Sequence, residues 1–314
     1  MSKIVVLGAN GFIGRHLVAR LAREADNTVV AFGRFSAYSV GGEQPFEDLL
    51  NVTVIAGNFF NRDELSSAID GADYVFHLVS TTNPATSSND PLIDIETNVK
   101  GSIELFELCH EQKIKKVIFF SSGGTVYGDV DSDKINELNL PSPRSPYGIG
   151  KLTIEHYLRY FKHRTGMDYI IYRIANPYGP GQNIHGKQGV IPVFLYHYLT
   201  RQSLTVFGDG TMVRDYLYVE DLAEMVASTY KKINKYSEYN IGSGRGKNIN
   251  ELIELIESCT GFTLPKKHVD TPTTYVNKSV LDCSRFTTEF GAPRLISLKE
   301  GIKRTWEYVK YIEE

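Results

Sequence analysis

Through the first half of the chain, short runs of apolar residues alternate with longer stretches whose apolar positions recur at helical spacing. Ile4–Leu7 predicts a strand, Ile13–Glu24 a helix, Thr28–Phe32 and Val52–Ile55 two further strands, and Arg62–Ile69 a short helix. Tyr74–Leu78 predicts a strand, Asp94–Glu111 a long helix, Val117–Phe120 a strand, Tyr147–Thr165 another long helix and Tyr169–Arg173 the next strand. Strands with no polar alternation are buried on both faces. Interleaved with amphipathic helices, they imply a parallel sheet covered on both sides, an α/β architecture.

The character changes after Asn176. Pro177, Gly179, Pro180, Gly181, Gly186, Gly189 and Pro192 crowd a short stretch, and Val190–Thr200 then reads as a helix. Leu204–Asp209 and Tyr216–Val219 predict short strands, and Val219–Lys231 contains a helix beginning near Asp221. Asn248–Thr260 and Leu298–Tyr311 predict helices capped by Asn248 and Ser297. The polar, glycine-containing segment Gly33–Asn51 predicts a flexible surface connection. The expected division is a first domain over 1–175, with a returning segment near 216–243, and a smaller second α/β domain mainly over 176–314.

Composition narrows the classes of function. With 314 residues, 42% of them hydrophobic, the chain can bury one large core or two smaller ones. A net charge of -3 offers no general attraction to nucleic acid or a membrane surface. Cys109, Cys259 and Cys283 are odd in number and widely spaced, which points to reduced thiols in a cytoplasmic protein rather than to disulfides or a zinc site; no metal centre is expected. No run of 18 apolar residues occurs, and the first apolar run leads straight into a glycine-rich turn, as a strand does and a signal peptide does not.

That turn carries the first candidate chemistry. In Val5-Val6-Leu7-Gly8-Ala9-Asn10-Gly11-Phe12-Ile13-Gly14 a strand passes through Gly8-x-x-Gly11-x-x-Gly14 into a helix. Gly8 permits the tight turn, Gly11 lets the backbone approach a pyrophosphate, and Gly14 lets the helix pack closely on the sheet. The helix N-terminus offers its N–H groups to the phosphates of a dinucleotide. The second strand ends Val30-Ala31-Phe32-Gly33-Arg34 without the carboxylate that commonly meets the ribose hydroxyls of NAD. Arg34 could meet the 2′-phosphate of NADP, or simply flank the adenine or face solvent.

The second candidate is Tyr147-x-x-x-Lys151. Positions i and i+4 share a helix face, and Pro146 suits the first helical turn. A phenol with a pKa near ~10 is a poor base at neutral pH, and a lysine ammonium one turn away favours its phenolate. Tyr147 could then take a proton from a hydroxyl while hydride leaves the same carbon.

Taken with Phe76-His77-Leu78, Asn98-Val99-Lys100-Gly101, Ser121-Ser122-Gly123-Gly124-Thr125-Val126-Tyr127-Gly128, Ser145-Pro146-Tyr147-Gly148-Ile149-Gly150-Lys151, Arg173-Ile174-Ala175-Asn176-Pro177-Tyr178-Gly179-Pro180-Gly181 and Arg214-Asp215-Tyr216-Leu217-Tyr218-Val219-Glu220-Asp221, the pattern resembles the extended short-chain dehydrogenase/reductases of the nucleotide-sugar epimerase/dehydratase family along essentially the whole chain. The resemblance implies a Rossmann-type doubly wound sheet that binds the dinucleotide, with a C-terminal domain for the nucleotide sugar. It implies NAD, with NADP possible, and a homodimer formed by Asp94–Glu111 and Tyr147–Thr165. The positions Ile103, Phe106, Leu152 and Tyr157 would suit such a bundle, though packing on their own sheet explains them equally. The implied cofactor residues are Gly8, Asn10, Gly11, Phe12, Ile13, Gly14, Arg34, Asn58, Leu78, Asn98, Tyr147 and Lys151. Tyr147 is the implied acid/base and Lys151 its electrostatic partner. Ser122, Thr125, Tyr147, Asn176, Val190 and Arg214 are implied to meet the substrate, Arg214 by gripping its diphosphate.

Departures from the family pattern shape the expected activity. The family's catalytic Ser/Thr falls at Gly123, so Ser122, by adjacency, or Thr125 would orient the sugar. A second diphosphate arginine would align near Pro272, and the family's adenine-side Asp is Asn58. Gly124 and Thr125 stand where sugar 4,6-dehydratases carry Asp and Glu, and where decarboxylases keep the Glu, which removes both activities. The resemblance implies 4-epimerisation of a nucleotide-diphosphate hexose, of the UDP-glucose or UDP-N-acetylhexosamine type. The alternative is NADPH-dependent reduction of a nucleotide-linked 4-keto-6-deoxysugar; a non-enzymatic dinucleotide sensor on this fold is weakened by the intact Tyr147/Lys151 pair.

Overall fold

A computed structural model describes residues 1–35, 46–84, 86–186 and 188–313, so the connection expected over Gly33–Asn51 lies largely outside the described residues. In chain order the elements are β1 (Ser2–Leu7), α1 (Phe12–Ala22), β2 (Asn27–Gly33), β3 (Val52–Ala56), α2 (Arg62–Ile69), β4 (Tyr74–His77), a π-helical turn (Asp94–Val99), α3 (Lys100–Glu111), β5 (Lys116–Ser122), α4 (Pro146–Thr165) and β6 (Asp168–Ile174). They continue with β7 (Asn176–Tyr178), α5 (Val190–Thr200), β8 (Leu204–Phe207), β9 (Val213–Tyr218), α6 (Val219–Ala227), β10 (Glu238–Ile241), β11 (Gly246–Asn248), α7 (Ile249–Thr260), β12 (Lys266–Val269), β13 (Lys278–Ser279), α8 (Ser284–Phe290) and α9 (Leu298–Glu313).

The chain forms two compact units. One comprises Met1–Ser121, Pro146–Tyr172 and Ala223–Tyr239, the other Ser122–Ser145, Arg173–Leu222 and Asn240–Glu314. The first unit is built on the seven-stranded sheet, in the order β10-β6-β5-β4-β1-β2-β3. Parallel pairing fixes the register at Val5↔Val30, Val5↔Val75, Ala31↔Val54 and Val75↔Val117. The order reverses direction at β1, so the C-terminal ends of β1 and β4 flank the switch point of a Rossmann-type, doubly wound α/β sheet, where such sheets bind ligands. Val5, Leu7, Phe32, Val75, Phe106 and Phe119 are buried in its core, driven there by their apolar area. Phe106 thus faces its own unit, and Ile103 and Tyr157 pack against the same core.

In the second unit β9 pairs with β7, β11 and β13, and β8 pairs parallel with β12. Its core gathers Tyr178, Phe194, Leu195, Tyr198, Ile253 and Ile302. Asn248 caps α7 in a capping box with Glu251, and Ser297 Oγ accepts from the Glu300 amide at the start of α9, as the sequence predicts.

Several boundaries differ from expectation. The helix expected over Asp94–Glu111 begins as a π-helical turn, in which Asp94 and Asn98 are bonded to each other and to Thr82. The strand expected to reach Asp209 stops at Phe207, because Gly208 and Gly210 adopt positive φ and Asp209 Oδ1 turns the chain by accepting from the Thr211 amide. Val219 begins α6 instead of ending a strand, and Asp221 lies inside that helix, where Oδ2 accepts from the Ile296 amide. The short strands β7, β10, β11, β12 and β13 and the helix α8 were not expected. β12 is largely exposed and reads Lys-Lys-His-Val, so it carries no hydrophobic alternation.

Candidate active site

The glycine turn lies where β1 hands over to α1, in the first unit. Gly8 takes φ +86°, the left-handed region that a Cβ disfavours, while its amide donates to Phe32 O at 2.9 Å. A Cβ on Gly14 would stand 2.2 Å from Gly8 O and 2.9 Å from Ala9 Cα, so only glycine lets α1 start this close to the strand. Gly11 is the N-cap of α1 and supplies no side-chain cap, which leaves the first-turn N–H groups, those of Phe12, Ile13 and Gly14, to meet an incoming anion. The backbone of Leu78 and Val79, beyond β4, lies 3.4 Å from where a Gly8 Cβ would be. These features suit the pyrophosphate of a dinucleotide.

The neighbouring polar residues are tied to the scaffold. Asn10 Nδ2 donates to Arg34 O at 3.2 Å, and its Oδ1 lies 2.4 Å from where a Cβ on Gly33 would project, so the Gly33-Arg34 corner accommodates Asn10; the Arg34 side chain is exposed. Asn58 Oδ1 accepts from the Phe60 amide at 3.1 Å. Asn98 uses its whole amide: Oδ1 accepts from Thr81 N and Oγ1, and Nδ2 donates to Thr82 Oγ1 and Asp94 Oδ1. It would therefore act on a cofactor by fixing the 81–82 segment after β4.

Tyr147 and Lys151 project from the first turns of α4, also in the first unit. Tyr147 is half-buried, and its amide donates to Ser87 Oγ at 3.2 Å. Lys151 is 5% exposed; Nζ donates to Phe120 O at 3.0 Å, sits 4.8 Å from the Phe119 ring centroid and 5.7 Å from that of Tyr147. Burial lowers the Lys151 pKa to about 8, against the pull of Asp94 and Glu155, which raise it. His77 on β4 is stacked on Phe59 with Nε2 2.8 Å from Ser102 Oγ. Burial, with the Lys151 charge adding to it, lowers its pKa to about 3, so it is a neutral imidazole at physiological pH. The arrangement couples a phenol to a buried ammonium, the requirement for proton transfer by tyrosine near neutrality.

The second unit holds the residues other than Tyr147 that are expected to meet a substrate. β7 lies alongside β9 with Asn176 paired to Tyr216, and Asn176 Nδ2 donates to Asp215 O at 3.1 Å. Arg214 is held by carbonyl oxygens: Nη1 donates to Val213 O and Asn277 O, and Nη2 to Val276 O at 2.7 Å. Burial lowers its pKa. Asp215 is not its ion-pair partner; that carboxylate accepts from Ser243, Gly244 and Leu281. The guanidinium is thus braced through neutral acceptors and keeps its positive charge uncancelled by its sequence neighbour, which suits a diphosphate. Val190, at the start of α5, packs on the second core.

Gly123 and Gly124 have opposite surroundings. The nearest atoms to a Cβ on Gly124 would be those of the Asn176 amide and Ser122 Oγ, at 3.8–4.0 Å, so Ser122 and Asn176 face one side of this turn together. A Cβ on Gly123 would stand 2.5 Å from Leu281 Cδ1 and 3.2 Å from Arg173 O, so the place of the family's hydroxyl-bearing side chain is filled by a leucine. Thr125 Oγ1 is buried without a hydrogen-bond partner, and so is the Tyr216 hydroxyl. Such groups need a polar partner when a site is filled. Leu281 lies in no sequence motif and only its place against Gly123 identifies it; Tyr216 belongs to the Arg214–Asp221 motif, and its unpartnered hydroxyl is visible only in the fold. Gly123→Ser is expected to destabilise the protein by about 1–3 kcal/mol through overpacking. In urea unfolding, the Gly123→Ser/Leu281→Val double variant should be more stable than the sum of the single effects, by about 1 kcal/mol.

No group of three or more His, Cys, Asp or Glu placed to hold a metal occurs among the described residues, and no helix among them is long and apolar enough to cross a membrane.

A glycine turn at the switch point and a Tyr/Lys pair on the same unit's α4 define a nucleotide-cofactor enzyme of the short-chain dehydrogenase/reductase type. The chain belongs to the NAD dependent epimerase/dehydratase family, whose description it matches over residues 4–242. It is similar to the UDP-glucose 4-epimerase of Thermotoga maritima, solved with UDP-glucose, at 33% identity and a TM-score of 0.91, covering 99% of this chain and 100% of that one. It is also similar to the UDP-glucose 4-epimerase of Thermus thermophilus in complex with NAD, at 26% identity and a TM-score of 0.89 over 98% of this chain and 99% of that one. The dTDP-4-dehydro-6-deoxyglucose reductase of Escherichia coli is 36% identical over 234 residues, 73% of this chain and 72% of the relative.

Proposed function

We propose that the protein is a nucleotide-diphosphate-hexose 4-epimerase of the UDP-glucose or UDP-N-acetylhexosamine type. The observation that carries this reading is the half-buried Tyr147 one helical turn from the buried Lys151, in the unit that also holds the Gly8/Gly11/Gly14 turn. The glycine turn and the α1 N-terminus would hold the pyrophosphate of NAD, and Lys151 the nicotinamide ribose. NAD would supply a reversible hydride acceptor for C4, and the 4-ketose would turn between the two transfers so that hydride returns to its opposite face. Tyr147 takes the C4 hydroxyl proton and gives it back on the reverse step, while Lys151 offsets the negative charge on its oxygen. Ser122 or Thr125 would orient the sugar. Arg214 would bind the diphosphate, and Asn176 a phosphate or sugar oxygen. The first unit is assigned to the dinucleotide and the second mainly to the nucleotide sugar, in a homodimeric cytoplasmic enzyme.

A second reading is reduction of a nucleotide-linked 4-keto-6-deoxysugar by NADPH. It is favoured by Gly123, which removes the family hydroxyl, by the exposed Arg34 after β2, and by the 36%-identical reductase relative. The two reactions leave different balances. An epimerase keeps its NAD through gel filtration and equilibrates UDP-glucose with UDP-galactose, or their N-acetylated counterparts, without net change at 340 nm. A protein that purifies empty, forms no epimer and steadily oxidises NADPH with dTDP-4-keto-6-deoxyglucose would overturn the epimerase assignment.

A further inference from the structure

The π-helical turn brings a carboxylate to the Tyr147/Lys151 pair. Asp94 is 2% exposed, and its Oδ1 accepts from Thr82 Oγ1 and Asn98 Nδ2, each at 2.7 Å, two donors that suit a carboxylate. Its Oδ2 is buried without a hydrogen-bond partner. The side chain lies against α4 at Gly150, where an added Cβ would be in van der Waals contact, 3.4 Å, with both Asp94 Cβ and Oδ1. No Lys or Arg of the described residues forms an ion pair with Asp94 within 4.0 Å, whereas the other buried carboxylate acting on Lys151, Glu155, accepts from Ser121 Oγ at 2.6 Å and has Arg159 at 3.5 Å.

We propose that Asp94 is a positioning residue for the Tyr147/Lys151 pair, its charge holding the buried Lys151 ammonium in the protonated state that the phenol needs. This rests on the role assigned to that pair above. The groups facing Lys151 are Tyr147 and Glu155 on α4, His77 on β4 and Asp94 on the π-helical turn; Phe119 and Phe120 of β5 add a ring face and a carbonyl. Buried and with its pKa brought to about 8, Lys151 is close enough to titration for one neighbouring carboxylate to decide its charge at neutral pH. His77 is neutral there and adds no charge of its own. Without Asp94, desolvation acts on the ammonium with Glu155 as the one remaining carboxylate to oppose it.

The test reads Lys151 itself. In protein labelled with [ε-13C]lysine, the Lys151 signal is assigned by its loss in Lys151→Arg, and its shift is followed against pH. Asp94→Asn keeps an acceptor oxygen for Thr82 and Asn98 and removes only the charge. It is expected to move the Lys151 midpoint down by roughly one pH unit, about a tenfold change in its proton affinity. Thr82→Val, which removes a hydrogen bond and no charge, should leave the midpoint in place. Asp94→Ser, smaller and neutral, gives the same reading if the amide disturbs folding. An unchanged or raised midpoint on loss of the Asp94 charge overturns the proposal, as does an equal fall in Thr82→Val. The midpoint is measured without substrate. A downward shift in a protein that turns over no UDP-hexose would therefore sink the epimerase reading and leave the Asp94–Lys151 coupling standing.

Discussion

Tyr147→Phe is expected to lower turnover of UDP-glucose or UDP-N-acetylglucosamine by about 10²- to 10⁴-fold, the usual contribution of a positioned acid/base group. The substitution removes one oxygen from a half-buried ring and leaves intact the hydrogen bond from the backbone amide of residue 147 to Ser87 Oγ and the packing of α4. Folding and cofactor retention should follow the parent protein. The loss should appear mainly in kcat, because the hydroxyl acts on the reacting carbon and contributes little to holding the nucleotide. Steady-state kinetics, with bound NAD measured on the same preparation, check this; activity within tenfold of the parent would place the proton transfer on another group.

Gly14→Ala should have the second large effect, on the cofactor and not on chemistry alone. The added methyl would stand 2.2 Å from Gly8 O and 2.9 Å from Ala9 Cα, both backbone atoms that cannot swing aside as a side chain can. Either α1 lifts from β1 or the glycine turn deforms, and each displaces the N–H groups offered to the pyrophosphate. Loss of stability of about 1–3 kcal/mol is expected from overpacking. Loss of copurifying NAD should accompany it, read from the 260 nm absorbance released on denaturation. The contrast with Gly123→Ser is instructive. There the atoms met first are the far end of Leu281, so repacking can relieve the strain.

These two variants mark what the sequence made legible. Glycines that must let backbone approach backbone leave a spacing that survives in the primary structure, and Gly8, Gly11 and Gly14 have that spacing. Tyr147 and Lys151 are four apart on a helix whose Pro146 start is equally visible. Six strands of the sheet followed from their uninterrupted apolar runs; the edge strand β10 did not. Asp94 is expected from the sequence only as the first residue of a long helix, because a single π-helical turn is too short to stand out in the helical pattern of 94–111. Leu281 opposite Gly123 was invisible for a different reason. The two are brought together by tertiary packing, and neither sits in a local pattern that names the other. The polar β12, paired with β8, escaped because its exposed residues need not alternate.

The three-part composition of the first unit bears on how the chain is made. The segment Ala223–Tyr239 is fastened to strands and helices laid down far earlier: Glu224 pairs with Arg20, Lys231 Nζ donates to Asn27, the Tyr230 ring meets Tyr74 and Phe76, Thr229 bonds to Tyr172, and the Lys116 ammonium donates to Lys232 O and Asn234. A nascent chain that has completed α4 still lacks the piece that covers these groups, so the glycine-turn unit reaches its final state only after much of the other unit has been synthesised. Contacts of such long sequence separation slow folding and leave incomplete chains with exposed apolar surface. A fragment ending near Tyr172 should thus be recovered largely as aggregate, whereas the same fragment with Ala223–Tyr239 joined to its end through a linker should be recovered in higher folded yield.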